Sequence, residues 1–130
     1  IAVLDQGKVI QMGTPKELFD QPSTPTIARF FGDINIFNQE EFQKFEIEFE
    51  RADFYGIRPQ HIHYSMKPVK KSYSALIIRE TFHGLWRKYR LKLSNQIEID
   101  IVVDAQSPIR GKEVFITLPT THLLLFHKTR

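Results

Sequence analysis

Tyr55-Gly56-Ile57-Arg58-Pro59-Gln60-His61-Ile62-His63 places one arginine and two histidines within six residues, near the middle of a 130-residue chain. A guanidinium offers a planar fork to anionic oxygens, and imidazoles ligate metals or carry protons near neutral pH. His61 and His63 fall on one face if the segment stays extended, which opens paired ligation to them, but the sequence places no third ligand beside them. Arg58, His61 and His63 are therefore the candidate ligand or interface residues, and no catalytic, cofactor or metal residue is assigned. The plainer reading of the same stretch is a corner. Pro59 fixes its own φ and pushes Arg58 towards extended geometry, so a strand should end here in a rigid bend.

The elements around this corner are readable in turn. Ile1–Asp5 and Lys8–Met12 are apolar runs joined by Gln6-Gly7, a hairpin signal with Gly7 supplying positive φ. Gly13 ends the second run. Thr14-Pro15-Lys16-Glu17 has the form of a capping box, with Pro15 suited to the first helical position and Glu17 reaching back. That helix must stop near Gln21, before Pro22. A second helix starts at Thr24-Pro25, is expected to present Ile27, Phe30 and Phe31 on one face, and meets Gly32 as a stop.

These residues, with Glu17-Leu18-Phe19, Pro22 and Phe30-Phe31-Gly32, closely resemble the end of the nucleotide-binding domain of ABC importer ATPase subunits. The nearest branch is the one serving maltose, sulfate, polyamines and ferric iron. Gly56-Ile57-Arg58-Pro59-Gln60-His61 resembles the Gly-Ile-Arg-Pro signature of the family's C-terminal TOBE (transport-associated OB) domain. Gly111-Lys112-Glu113-Val114 and Leu118-Pro119 resemble its close. The resemblance covers nearly the whole chain, although 33–54 matches only in position and length. It makes Gly13, Thr14, Pro15, Gly32, Gly56, Arg58 and Pro59 the family-signature residues.

The resemblance implies two parts: residues 1–32 as a remnant of the nucleotide-binding domain, and residues 33–130 as a TOBE, OB-like regulatory domain. It implies a homodimer through the C-terminal domain, membrane permease subunits as partners, and a cytoplasmic place at the inner face of the cell membrane. In some relatives a small ligand or an inhibitory protein locks the resting state. ATP and Mg belong by resemblance to an upstream domain, and no cofactor is expected in this chain. The chain opens within an apolar run, as a piece of a longer protein would. It departs from the family at Gln60, where Glu is usual, and it contains neither a Gly-x-x-x-x-Gly-Lys-Ser/Thr phosphate loop nor a Leu-Ser-Gly-Gly-Gln signature. Without backbone N–H groups to cradle phosphates, ATP hydrolysis has no machinery here, so the chain is read as non-catalytic.

Composition narrows the alternatives. With no cysteine, disulfides, thiolate metal sites and cysteine nucleophiles are excluded. No serine lies in a nucleophile elbow that would use His83, His122 or His127 as base. No apolar run approaches the roughly 18 residues that span a bilayer. Residues 33–54 carry two basic and seven acidic side chains, whereas 55–130 carry thirteen basic and five acidic. The basic part raises a second reading, a free-standing OB-like module binding single-stranded nucleic acid or a small anion.

Strand patterning weighs against that module. Phe45-Glu46-Ile47-Glu48-Phe49-Glu50 alternates as a strand with its glutamates outward, without the converging oxygens a divalent cation needs. Ser72–Arg79 and Leu85–Leu93 read as strands around a Phe82-His83-Gly84 turn. Trp86, Lys88, Arg90 and Lys92 lie opposite the Tyr89, Leu91 and Leu93 face. For Ile97, Ile99, Ile101 and Val103 to share the core face with Leu91 and Leu93, the loop must be odd. Ser94-Asn95-Gln96 meets that need, with Asn95 or Gln96 at positive φ. Lys92 then faces Glu98 and Arg90 faces Asp100, neutralising the basic stripe, so nucleic acid is not expected. Pro108–Gly111 reads as a turn, and Glu113–Leu118 and His122–Phe126 as the last strands. Six or seven strands in about a hundred residues predict a mainly β fold, an OB-like small barrel or sandwich, preceded by the hairpin and two short helices.

Overall fold

The computed structural model describes residues 1–128; Thr129 and Arg130, the end of the expected 33–130 unit, lie outside the described residues. The hairpin forms as read: β1 (Ala2–Asp5) pairs antiparallel with β2 (Lys8–Met12) across Gln6 and Gly7, with φ of 50° and 77°. Helix α1 (Pro15–Asp20) follows, with the Thr14 hydroxyl accepting from the Glu17 N–H at 3.1 Å. The Glu17 carboxylate accepts from the Thr14 hydroxyl at 3.1 Å, so its reach back ends on the side chain rather than on the Thr14 N–H. Helix α2 (Pro25–Phe30) is capped in the same way by Thr24. Its buried face is Ile27 and Ala28. Phe30 is 78% exposed and Phe31, the C-cap residue, is half-buried, contrary to the face expected; the two rings pack edge to face on each other instead.

Between Asn35 and Glu50 the elements depart from those read in the sequence. Asn35–Asn38 forms β3, and Asn38 caps helix α3 (Gln39–Gln43) in a reciprocal box with Glu41. This helix displaces the strand expected at Phe45–Glu50. Phe45 is fully buried at the helix exit, Glu46 takes φ 53°, Ile47 is half-buried and Phe49 is exposed. Local capping and a left-handed turn thus override the period-two pattern. Strand β4 (Phe54–Ile57) ends in a 3-10 turn at Pro59–His61, the corner expected, and β5 (His63–Ser65) leaves it.

Strands β6 (Tyr73–Phe82), β7 (Trp86–Leu93), β8 (Glu98–Asp104) and β9 (Glu113–Thr117) join β5 in an antiparallel sheet of order β5-β9-β6-β7-β8. Strand β10 (Leu124–Phe126) instead joins a small sheet of order β10-β4-β3. Among the described residues eight strands therefore follow residue 33, where six or seven were expected. The fold is mainly β, with the larger sheet curled as a half-barrel. Its core lies between the sheets: Phe37, Tyr55 and Ile57 meet Ala75, Leu91, Ile99, Ile101, Val114 and Ile116.

The β7–β8 register agrees with the sequence reading. Leu91 faces Ile99, Lys92 faces Glu98, Arg90 faces Asp100, the Leu93 N–H donates to the Ile97 carbonyl at 2.8 Å, and Gln96 takes φ 76°. The charges pair diagonally as well as directly: Arg90 bridges both Glu98 and Asp100 at 3.2 Å. No helix among the described residues is long and apolar enough to cross a membrane.

Candidate functional site: a clamp and a cleft at Arg58

Arg58 sits at the end of β4 with φ −73° and ψ 145°, the extended geometry Pro59 demands. Its side chain is only 2% exposed and turns into the helical segment. Nη1 donates to the carbonyls of Ala28 (3.1 Å), Gly32 (3.0 Å) and Asp33 (3.1 Å), and Nη2 donates to that of Phe19 (2.8 Å). The guanidinium also lies over the Phe19 ring, 3.9 Å from its centroid. Phe19 and Ala28 belong to the last turns of α1 and α2, whose carbonyls lack intrahelical partners and carry the negative end of the helix dipole. One cation therefore caps two helix C-termini. Burial pulls the guanidinium below its ordinary value, and the nearby Asp20 and Asp33 carboxylates work against that pull. The anionic oxygens that a guanidinium fork would suit are thus replaced here by main-chain carbonyls.

The surrounding signature residues explain themselves by close approach. A Cβ on Gly32 would stand 3.1 Å from the Phe19 ring and 3.4 Å from Arg58 Nη1. A Cβ on Gly56 would stand 2.8 Å from Ile34 and 3.0 Å from Phe126. Pro59 is buried at the corner. Gly13, Thr14 and Pro15 lie apart from this cluster, at the β2-to-α1 junction, where they end one element and cap the next.

Beside the clamp runs a cleft of about 300 Å³, lined by Phe19 and Asp20 from the end of α1, Arg58 and His61 from the corner, and Thr121–Leu124. His61 stacks on His122, with centroids 4.0 Å apart and rings 21° from parallel. Burial pushes the His61 imidazole below the ordinary histidine value; His122 and Arg58 push the same way, and Asp20 opposes them. His63 is not part of this site. The 3-10 turn breaks the extended face that would have joined it to His61, and it lies exposed on β5 opposite Thr117. Among the described residues no group of three or more His, Cys, Asp or Glu is placed to hold a metal. The cluster does not fit a nucleotide phosphate either, because Arg58 already directs four hydrogen bonds to carbonyls.

Phe19, Asp20 and His122 were not selected from the sequence. Phe19 reads as an ordinary apolar helix position, and His122 is brought in only by the pairing of β10 with β4.

Fold and clamp together define a β body with a short helical segment fastened to it. No family model matches the chain. Among curated proteins it is similar to the sulfate/thiosulfate import ATP-binding protein CysA of Thermosynechococcus vestitus, 31% identical over 99 residues, covering 76% of this chain and 29% of the relative. The spermidine/putrescine import ATP-binding protein PotA of Trichormus variabilis is 28% identical over 127 residues, covering 78% and 33%. PotA of Borrelia garinii subsp. bavariensis is 30% identical over 143 residues, covering 98% and 40%. The chain is a homologue of ABC importer ATP-binding subunits and spans about a third of the length of the relatives it matches.

Proposed function

We propose that the chain is the non-catalytic C-terminal regulatory and assembly part of the ATP-binding subunit of an ABC-type importer. Residues 33–130 are its TOBE-type domain, and residues 1–32 are the end of its nucleotide-binding domain. The subunit works as a homodimer whose C-terminal domains touch, in the cytoplasm, against permease subunits at the inner face of the membrane. ATP and Mg are held upstream of this chain.

The observation that carries this reading is the Arg58 clamp. It fastens the segment resembling the end of an ATP-binding domain to the β body through three hydrogen bonds, to the carbonyls of Phe19, Ala28 and Gly32, with a fourth to Asp33 at the junction. A fastened segment moves with the β body, so the arrangement of two β bodies in a dimer biases the ATP-binding parts. A regulatory ligand would act by distinguishing two such arrangements; equal binding to both shifts nothing.

The test is removal of residues 33–130 from the subunit that carries this chain, with ATP hydrolysis, oligomeric state by light scattering, and transport measured together. The expected result is hydrolysis retained, with the nucleotide-free dimer weakened and transport no longer regulated. A truncated subunit with unchanged dimerisation and regulation contradicts the proposal.

A further inference from the structure

The stacked histidines take no part in the hydrogen bonds of the clamp. His61 belongs to the same 3-10 turn as Pro59, immediately after Arg58, and His122 belongs to the 3-10 turn that leads into β10. Both turns flank β4, because β10 pairs with β4 from Leu124 to Phe126. The cleft between them is closed on its other side by the end of α1, through Phe19 and Asp20. A shift of His61 away from His122 therefore moves the turn that carries Arg58, and with it the hold on α1 and α2.

The charge inventory makes such a shift depend on protons. Facing the pair are Arg58 from the corner and Asp20 from α1, and Asp33 acts on the guanidinium. Asp20 is already engaged by Lys16, and Asp33 by Lys88 at 3.2 Å. With both imidazoles neutral, one guanidinium and one carboxylate line the cleft in balance. Each proton added to the pair places a surplus cation next to a buried one. Rings 4.0 Å apart stack well when at least one is neutral and repel when both are charged.

We propose that the His61–His122 pair is an acid-sensitive latch that holds the α1–α2 segment on the β body when neutral and loosens it when protonated. The sign follows from linkage: the open arrangement binds protons more readily than the closed one, so falling pH favours opening. A ligand is not required, and the latch stands independently of any importer role.

Amide hydrogen exchange on the intact chain tests this, at pH 7.5 and 5.5, corrected for the intrinsic pH dependence of exchange. Amides of Leu18 to Gly32 are expected to lose protection by about tenfold or more relative to those of β7 and β8, as uptake of one proton on opening supplies per pH unit. His122→Phe keeps an aromatic ring on His61 but removes one titrating group, and should blunt the response at least threefold. Should that variant fail to fold, the imidazole resonances of the unaltered chain replace it as the readout. His61 should then titrate below the ordinary histidine value of 6.5. Protection independent of pH, an acid response spread evenly over β7 and β8, an undiminished response in His122→Phe, or His61 titrating at or above 6.5 would each overturn the latch.

Discussion

The Arg58 guanidinium stands 3.9 Å over the Phe19 ring while Nη2 donates to the Phe19 carbonyl at 2.8 Å. A single residue of α1 thus receives both a cation–π contact and a charge-assisted hydrogen bond from a residue in the β body. Cation–π contacts gain when desolvated, and hydrogen bonds from charged donors exceed neutral ones. The relationship makes Arg58 a fastener of α1 to the β body.

Arg58→Ala should therefore lower stability by about 3 kcal/mol or more, since it strands several buried carbonyls at once. Urea unfolding followed by circular dichroism reads this directly. Arg58→Lys should recover only part of the loss, because an ammonium lacks the planar fork that serves four carbonyls in fixed directions.

Gly56→Ala should cost about 1–3 kcal/mol through overpacking. The added methyl meets Ile34 at 2.8 Å, Phe126 of β10 at 3.0 Å and Ile36 of β3 at 3.1 Å. If thermal melting of this variant matches the unaltered chain, the packing described for the small sheet is wrong.

How far the sequence led differs between the parts of this account. The β7–β8 register was legible because burying Leu91, Leu93, Ile97, Ile99, Ile101 and Val103 on one face requires an odd loop, and Ser94-Asn95-Gln96 supplies three residues. The caps at Thr14 and Thr24 and the bend at Pro59 were equally legible, being decided within four residues. Phe45–Glu50 misled, since alternation is a local signal and the Asn38–Glu41 box upstream had already set a helix against it. The clamp was half legible. Arg58 stood out by type, yet its partners are carbonyls, and carbonyls are the same in every residue and leave no mark in a sequence. His122 could be reached only through the pairing of β10 with β4.

The register has a mutational consequence. Ile99→Ala, at a position with no exposed surface, should destabilise by about 2–5 kcal/mol. Arg90→Ala, which removes half-exposed pairs with Glu98 and Asp100, should cost about 1 kcal/mol or less and lose that effect in high salt. Equal losses for the two would place Ile99 outside the core.

Acid should weaken the fold through His61. Its folded-state value lies below the ordinary 6.5 because of burial first and then of His122 and Arg58. The unfolded chain thus binds the proton more readily. The stability contributed by neutral His61 is full above about pH 6.5 and is lost as pH falls from there towards the lower folded-state value. Urea midpoints between pH 8 and pH 5 should decline in that direction, and His61→Gln should flatten the decline. A midpoint that rises on acidification contradicts the burial described for this ring.

The central claim is that the clamp couples the helical segment to the β body within an importer subunit. It is tested most directly by Arg58→Ala in the subunit that carries this chain, with ATP hydrolysis and transport measured side by side. The account predicts hydrolysis by the isolated subunit near its unaltered rate, with transport uncoupled from its regulation. Transport and regulation both unchanged, in a variant shown to have lost the four hydrogen bonds of Arg58, would contradict it.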